Sequence, residues 1–139
     1  MSSVVLQAFD QIQNTGKVRL FKSHKEGIPD GQQKRDFIHV EDVDEVLHFA
    51  IEKPISRGIF NLGTGKARSF LDLAQATFSA LKKEENIEFF DTPEAYRKHY
   101  QYFTEANMTR LRGEGYEPTF QTLEQGVEKY VQKLLRPGV

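Results

Sequence analysis

The stretch RDFIHVEDV, Arg35 to Val43, decides how this chain is read. Its first six residues alternate and are rich in β-formers, which predicts a strand over 35–40. Asp42 then predicts the opening of a helix with Val43, Val46, Leu47 and Ala50 on its apolar side and Pro54 at its end. Gly58 starts a second β-rich run, GIFNL at 58–62, and the Gly63-Thr64-Gly65 turn follows. Two strands flanking one helix predict a βαβ unit, and hence a parallel pair in a mixed α/β fold.

Working outward, Val4, Val5, Leu6, Phe9 and Ile12 recur at helical spacing and predict an amphipathic helix over 2–14. Ser2 or Ser3 serves as its cap, and Asn14 and Gly16 stop it. Val18 to Phe21 is a short strand candidate. The polar segment KSHKEGIPDGQQK at 22–34 carries Gly27, Pro29 and Gly31 and predicts a mobile loop. Towards the carboxy terminus, Ser69 with Asp72 approaches a capping box for a helix near 70–83. Ile87, Phe89 and Phe90 predict another strand, and Thr104 a cap for a helix ending at Gly113 or Gly115. Thr122 with Gln125 is a full capping-box match. It opens a last helix near 122–135, with Leu123, Val127, Tyr130, Val131 and Leu134 on its apolar side. The expectation is about five helices and few, short strands, which is little β-structure for a closed sheet. That suggests part of a larger fold.

The composition narrows the function classes. The 139 residues suit a single domain, 1–139, and 38% hydrophobic content with 11 Phe supplies a core, so global disorder is excluded. Nineteen basic against 20 acidic residues argue against a dedicated nucleic-acid binder and leave room for a small anionic ligand. With no cysteine, disulfides and thiolate metal sites are excluded. No apolar run approaches the ~18 residues that would span a bilayer. The opening MSSVVLQAFDQIQNTG lacks a basic region and a long apolar stretch, so it is not expected to be a signal peptide, and a cytoplasmic location is expected.

GTGKAR at 63–68 follows a predicted strand and precedes a helix, but Arg68 stands where a dinucleotide fingerprint needs a third small residue. A plain glycine turn is the simpler reading. A Tyr with a Lys four residues on would make an acid–base pair on one helix face. Four residues after Tyr96, Tyr100, Tyr102, Tyr116 and Tyr130 stand Tyr100, Thr104, Ala106, Phe120 and Leu134, so no such pair exists. His24, His39, His48 and His99 lack zinc-site spacing, and there is no GxSxG elbow. Arg35 offers a planar fork suited to a diphosphate, and Phe21 and Tyr100 suit stacking on an adenine or lining a sugar pocket. The residues alone leave a second reading equally open, in which Arg35 and Asp36 form a local salt bridge and the apolar residues are core.

The blocks RDFIHVEDV, GIFNLGTGKARSF and HYQYFTEANMTRLRGEGY, in this order, resemble the extended short-chain dehydrogenase/reductase superfamily of sugar-nucleotide epimerases and dehydratases. Together with MSSVVLQAFDQ, the Leu20-Phe21 turn and KRDF, they are similar to the ADP-heptose 6-epimerase family within it, from Met1 to about Leu135. The resemblance implies a carboxy-terminal substrate-binding part, with the Rossmann domain, the glycine fingerprint and the Tyr/Lys pair outside this chain. It implies an activity that inverts C6 of the heptose of an ADP-sugar by transient NADP-dependent oxidation, for lipopolysaccharide core biosynthesis. No cofactor is expected on this chain alone, and no catalysis by it. The implied substrate contacts are Arg35 at the diphosphate, Tyr100 on the nucleotide side, Phe21 with Lys22 and Ser23 in a short turn, and Gln7. The family often reads Phe-Glu-Gly-Ser at that turn, where this chain reads Phe-Lys-Ser-His before a longer loop. The implied partners are the ADP-sugar, the missing Rossmann domain and further copies of the parent. Val4, Val5 and the 43–50 helix are expected to expose apolar surface where that domain packs. A parent acting on another nucleotide sugar, and a non-enzymatic binding or assembly module, are the rival readings.

Overall fold

The computed structural model describes residues 3–136. Helix α1 runs Val4–Thr15 and buries Ala8 and Ile12. Gly16 ends it in the left-handed region at φ 72°, returning its N–H to the Ile12 carbonyl at 3.0 Å. Ser3 holds the cap position without a side-chain cap bond, Asn14 lies inside the helix, and the alternative cap, Ser2, lies outside the described residues. Strand β1, Val18–Phe21, follows with Val18 and Leu20 buried. Next come β2 (Lys34–Arg35), α2 (Val40–Glu52), β3 (Arg68–Ser69), α3 (Phe70–Ala80) and β4 (Ile87–Phe90). Short helices α4 (Glu94–Arg97) and α5 (Thr109–Gly113) lead to α6 (Leu123–Leu135). That makes six helices among the described residues where about five were expected; α4 is the one the sequence reading lacked.

Strands β1 and β4 pair in parallel, from Val18 opposite Ile87 to Phe21 opposite Phe90. Strands β2 and β3 pair antiparallel. Helix α3 sits at the centre of the packing. Its Leu73, Ala74 and Phe78 meet Ala8, Ile12, Val18 and Leu20, and its Ala76 meets Val127 and Val131 of α6. A second cluster gathers Val46, Leu111 and Tyr116, with Phe49, Phe60, Leu62, Met108 and Phe120 around them.

The decisive stretch folds differently from its sequence reading. Of residues 35–40 only Arg35 is in a strand. His39 caps α2, its Nδ1 accepting from the Glu41 N–H at 3.3 Å, so the helix opens at Val40 and not at Asp42. Asp42 lies in the first turn, buried, where both carboxylate oxygens accept from the Gln121 N–H at 3.2 and 3.3 Å. Residues 58–62 form no strand either. Arg110 holds this segment by donating to the Ile59 and Arg57 carbonyls, each at 3.0 Å. Alternation creates a preference for extended backbone, but a ladder needs a partner strand, and none pairs with 58–62 among the described residues. The expected parallel pair therefore exists elsewhere, between β1 and β4. Thr104 caps no helix; its N–H donates to the Lys34 carbonyl at 3.2 Å, and α5 begins only at Thr109.

Both capping boxes form. Ser69 accepts from the Asp72 N–H while the Asp72 carboxylate accepts from the Ser69 N–H. Thr122 and Gln125 exchange the same pair of bonds. Thr122→Ala should cost about 1 kcal/mol, read as a lower urea midpoint, because two amides of the first turn of α6 lose their partners or their geometry.

Candidate ligand-binding site

The register of β1 and β4 brings two aromatic rings together at the end of the small sheet. Phe21 stands opposite Phe90, with ring centroids 4.8 Å apart. Downstream of α4, Tyr100 turns its ring edge-on to Phe21 at 6.2 Å and packs against Tyr102 at 5.2 Å. The β2–β3 pair supplies the cation. The Arg35 guanidinium lies 5.7 Å from the ring centres of both Tyr100 and Phe70. Burial raises the Tyr100 phenol above its ordinary value and Arg35 draws it partly back, so the phenol is protonated and a donor at neutral pH.

Arg35 spends one donor, Nη1, on the Lys34 carbonyl at 2.8 Å. Its alternative role, a salt bridge with Asp36, is not formed, and no carboxylate among the described residues lies within 4.0 Å of it. Most of the guanidinium fork is left for an anion. Lys22 lies beside Phe21 but faces Asp91 at 3.7 Å, an exposed pair of small energetic weight. The Ser23 N–H donates to Asp30 Oδ1 at 2.6 Å and its hydroxyl to the Lys25 carbonyl at 3.2 Å. Gln7 lies in the first turn of α1 and is exposed. Phe21, Arg35 and Tyr100 thus form one cluster with Lys22 and Ser23 on its rim.

Asp36 does something the sequence reading did not assign. Its carboxylate accepts from the Thr64 N–H (2.8 Å), the Thr64 hydroxyl (2.5 Å), the Gly65 N–H (2.9 Å) and the Ala106 N–H (3.0 Å). The Gly-Thr-Gly turn offers amides of the kind that cradle phosphates, and here a protein carboxylate occupies them. Burial pushes the Asp36 carboxyl up, but the Thr64 hydroxyl and the three amides outweigh it and hold the group below its ordinary value. The closeness of this clamp explains Gly63. A Cβ there would lie 2.6 Å from the Ala106 Cβ and collide with the Asp36 carboxylate. Gly63→Ala should therefore cost about 1–2 kcal/mol in a urea titration, as forced shifts in a packed site do. The signal for Asp36 was available in principle, since a turn rich in free amides requires an acceptor. No group of three or more His, Cys, Asp or Glu able to hold a metal occurs among the described residues.

Comparison with known proteins adds four findings. The model of the NAD dependent epimerase/dehydratase family matches residues 1–63. The ADP-L-glycero-D-manno-heptose-6-epimerase of Fusobacterium nucleatum is 45% identical over 97% of this chain, which spans 42% of that protein's length. The solved ADP-L-glycero-D-manno-heptose-6-epimerase of Helicobacter pylori matches with a TM-score of 0.75 at 24% identity, over 96% of this chain and 38% of its own. The Thermus thermophilus UDP-glucose 4-epimerase, solved with NAD, matches with a TM-score of 0.73 at 22% identity, over 93% and 39%. The two structural matches show a shared fold. The mixed α/β architecture matches part of the fold of these two solved epimerases, and the family whose model matches is described as NAD dependent.

Proposed function

We propose that this chain, similar along nearly its whole length to ADP-L-glycero-D-manno-heptose-6-epimerases, is the substrate-side part of such an enzyme. The observation that carries the reading is the cluster of Arg35, Tyr100 and Phe21, a cation with unspent donors beside a phenol and an aromatic face. A guanidinium fork suits a diphosphate, and an aromatic face suits a nucleoside or sugar ring. In the parent, NADP would supply the oxidation at C6 of ADP-D-glycero-D-manno-heptose and return the hydride to the other face. This chain's residues would bind and orient the ADP-sugar. Without a Tyr/Lys pair or a fingerprint loop of its own, the chain alone would not catalyse.

The exposed apolar surface supports a missing partner domain. Val40 is 72% exposed, Leu47 55%, Ile51 82% and Ile59 86%, so α2 along its length and the unpaired 58–62 segment present apolar side chains to solvent. In the parent a nucleotide-binding domain would cover them. Val4 and Val5, also expected at that face, are half-buried and pack on the α3 core. No described helix is long and apolar enough to cross a membrane. A cytoplasmic, homo-oligomeric parent is part of the same proposal. The rival parent, acting on a UDP-sugar, draws on the shared fold with UDP-glucose 4-epimerase.

Calorimetric titration of the chain with ADP-mannose, UDP-glucose and NADP tests the reading. ADP-mannose should bind and NADP should not. Tighter binding of UDP-glucose would move the assignment to the other nucleotide sugars. NADP binding would overturn the division of labour, and silence of all three would favour the assembly module.

A further inference from the structure

Thr92 is 3% exposed, and each of its three polar groups reaches a different part of the site's frame. Its hydroxyl donates to the Lys22 carbonyl at 3.1 Å, directly after Phe21. Its N–H donates to His24 Nε2 at 3.3 Å. Its carbonyl accepts from Arg97 Nε at 2.6 Å, at the end of α4 and three residues before Tyr100. The His24 N–H in turn donates to the Tyr102 hydroxyl at 3.2 Å, and the Tyr102 ring packs on Tyr100. The two segments that carry the facing rings, 21–24 and 97–102, are thus joined through one buried residue, its side chain holding the Lys22 carbonyl and its backbone holding His24 and Arg97. Strand pairing fixes the backbone only as far as the Lys22 N–H, which donates to the Phe90 carbonyl at 2.9 Å. Beyond that point the turn is held by Thr92, by Asp30 through the Ser23 N–H and by the Tyr102 hydroxyl through the His24 N–H, and the Lys22 carbonyl is held by the Thr92 hydroxyl.

We propose that Thr92 is a positioning residue that sets the spacing of Phe21 and Tyr100, and so the fit of a nucleotide sugar between them. This role rests on the ligand assigned under Proposed function and adds to it a residue that touches no ligand. Losing the hydroxyl frees the Lys22 carbonyl and lets the 21–24 turn move away from Tyr100. Valine has nearly the same shape and lacks only the hydroxyl, so it removes the bond to the Lys22 carbonyl while keeping the packing.

The test compares wild type with Thr92→Val and Thr92→Ser in the whole chain. Two readouts are used: the aromatic NOE between Phe21 and Tyr100, and the Kd for ADP-mannose by calorimetry. The expected result is loss of the NOE in the valine variant and its return in the serine variant. The Kd should rise roughly 3–10-fold in the first and stay near wild type in the second, the loss of one hydrogen bond's net contribution. An NOE and a Kd unchanged by valine overturn the proposal, and so does a serine variant that fails to restore them. If the valine variant does not fold, Thr92→Ala removes the same hydroxyl with less bulk and is read the same way. A wild-type chain that does not bind ADP-mannose overturns the pocket itself, and the NOE pattern then separates that failure from a failure of the tether.

Discussion

Asp36→Ala should lower the stability of the chain by about 3 kcal/mol, read as a lower urea midpoint with little change in slope. The carboxylate gathers four donors from two segments distant in sequence, the Gly-Thr-Gly turn and Ala106. Bonds to a charged acceptor contribute about 1.5–3 kcal/mol each, but four bonds to one group are not additive. Asp36 is only half-buried, and water screening with non-additivity holds the total well below such a sum. Alanine leaves three backbone N–H groups without their acceptor, so the turn and the 104–106 segment should separate. The effect carries a pH signature. The folded carboxyl titrates below its unfolded counterpart, so its contribution is complete above the unfolded value, about pH 4, and is lost as the pH falls through the folded value. The stability gap between wild type and the alanine variant should therefore narrow on going from pH 7 to below pH 3. A gap independent of pH would show that Asp36 acts by shape and not by charge.

What the sequence made legible was local. Ser69 with Asp72, and Thr122 with Gln125, announce their helices because a capping box is satisfied within four residues and needs no tertiary partner. The apolar spacing of α1 and α6 was legible for a similar reason: a helix closes its own hydrogen bonds. Strands do not. The runs 35–40 and 58–62 carry β-forming residues, yet whether a ladder forms depends on what lies beside them, which no local pattern states. The same difference separates the site residues. Arg35, Phe21 and Tyr100 stood out by residue type and by their place in recognisable blocks, and the fold brings them into one cluster. Asp36 and Thr92 did not, because each acts through bonds to segments 28 to 70 residues away. Asp36 was weighed only against its neighbour Arg35, and its actual partners are amides, which every residue has and no sequence marks.

Arg35→Ala should weaken ADP-mannose binding by about 1.5–3 kcal/mol, the contribution of a charge-assisted hydrogen bond, or roughly 10- to 150-fold in Kd. The geometry explains why the loss should be large in binding and small in folding. The guanidinium gives one bond to the Lys34 carbonyl and rests on the faces of Tyr100 and Phe70, with no ion pair to break among the described residues. Its remaining donors have only an incoming ligand to meet. Arg35→Lys should fall between wild type and alanine, since lysine keeps the charge but not the planar fork that grips two phosphate oxygens. Raising the ionic strength should narrow the gap between the alanine variant and wild type, because screening weakens the interaction that only wild type makes. Calorimetry on the three proteins, with urea midpoints as the control for folding, separates the outcomes. Equal Kd values for wild type and alanine would remove Arg35 from the diphosphate. A lysine variant equal to wild type would mean that charge alone, not the fork, recognises the ligand.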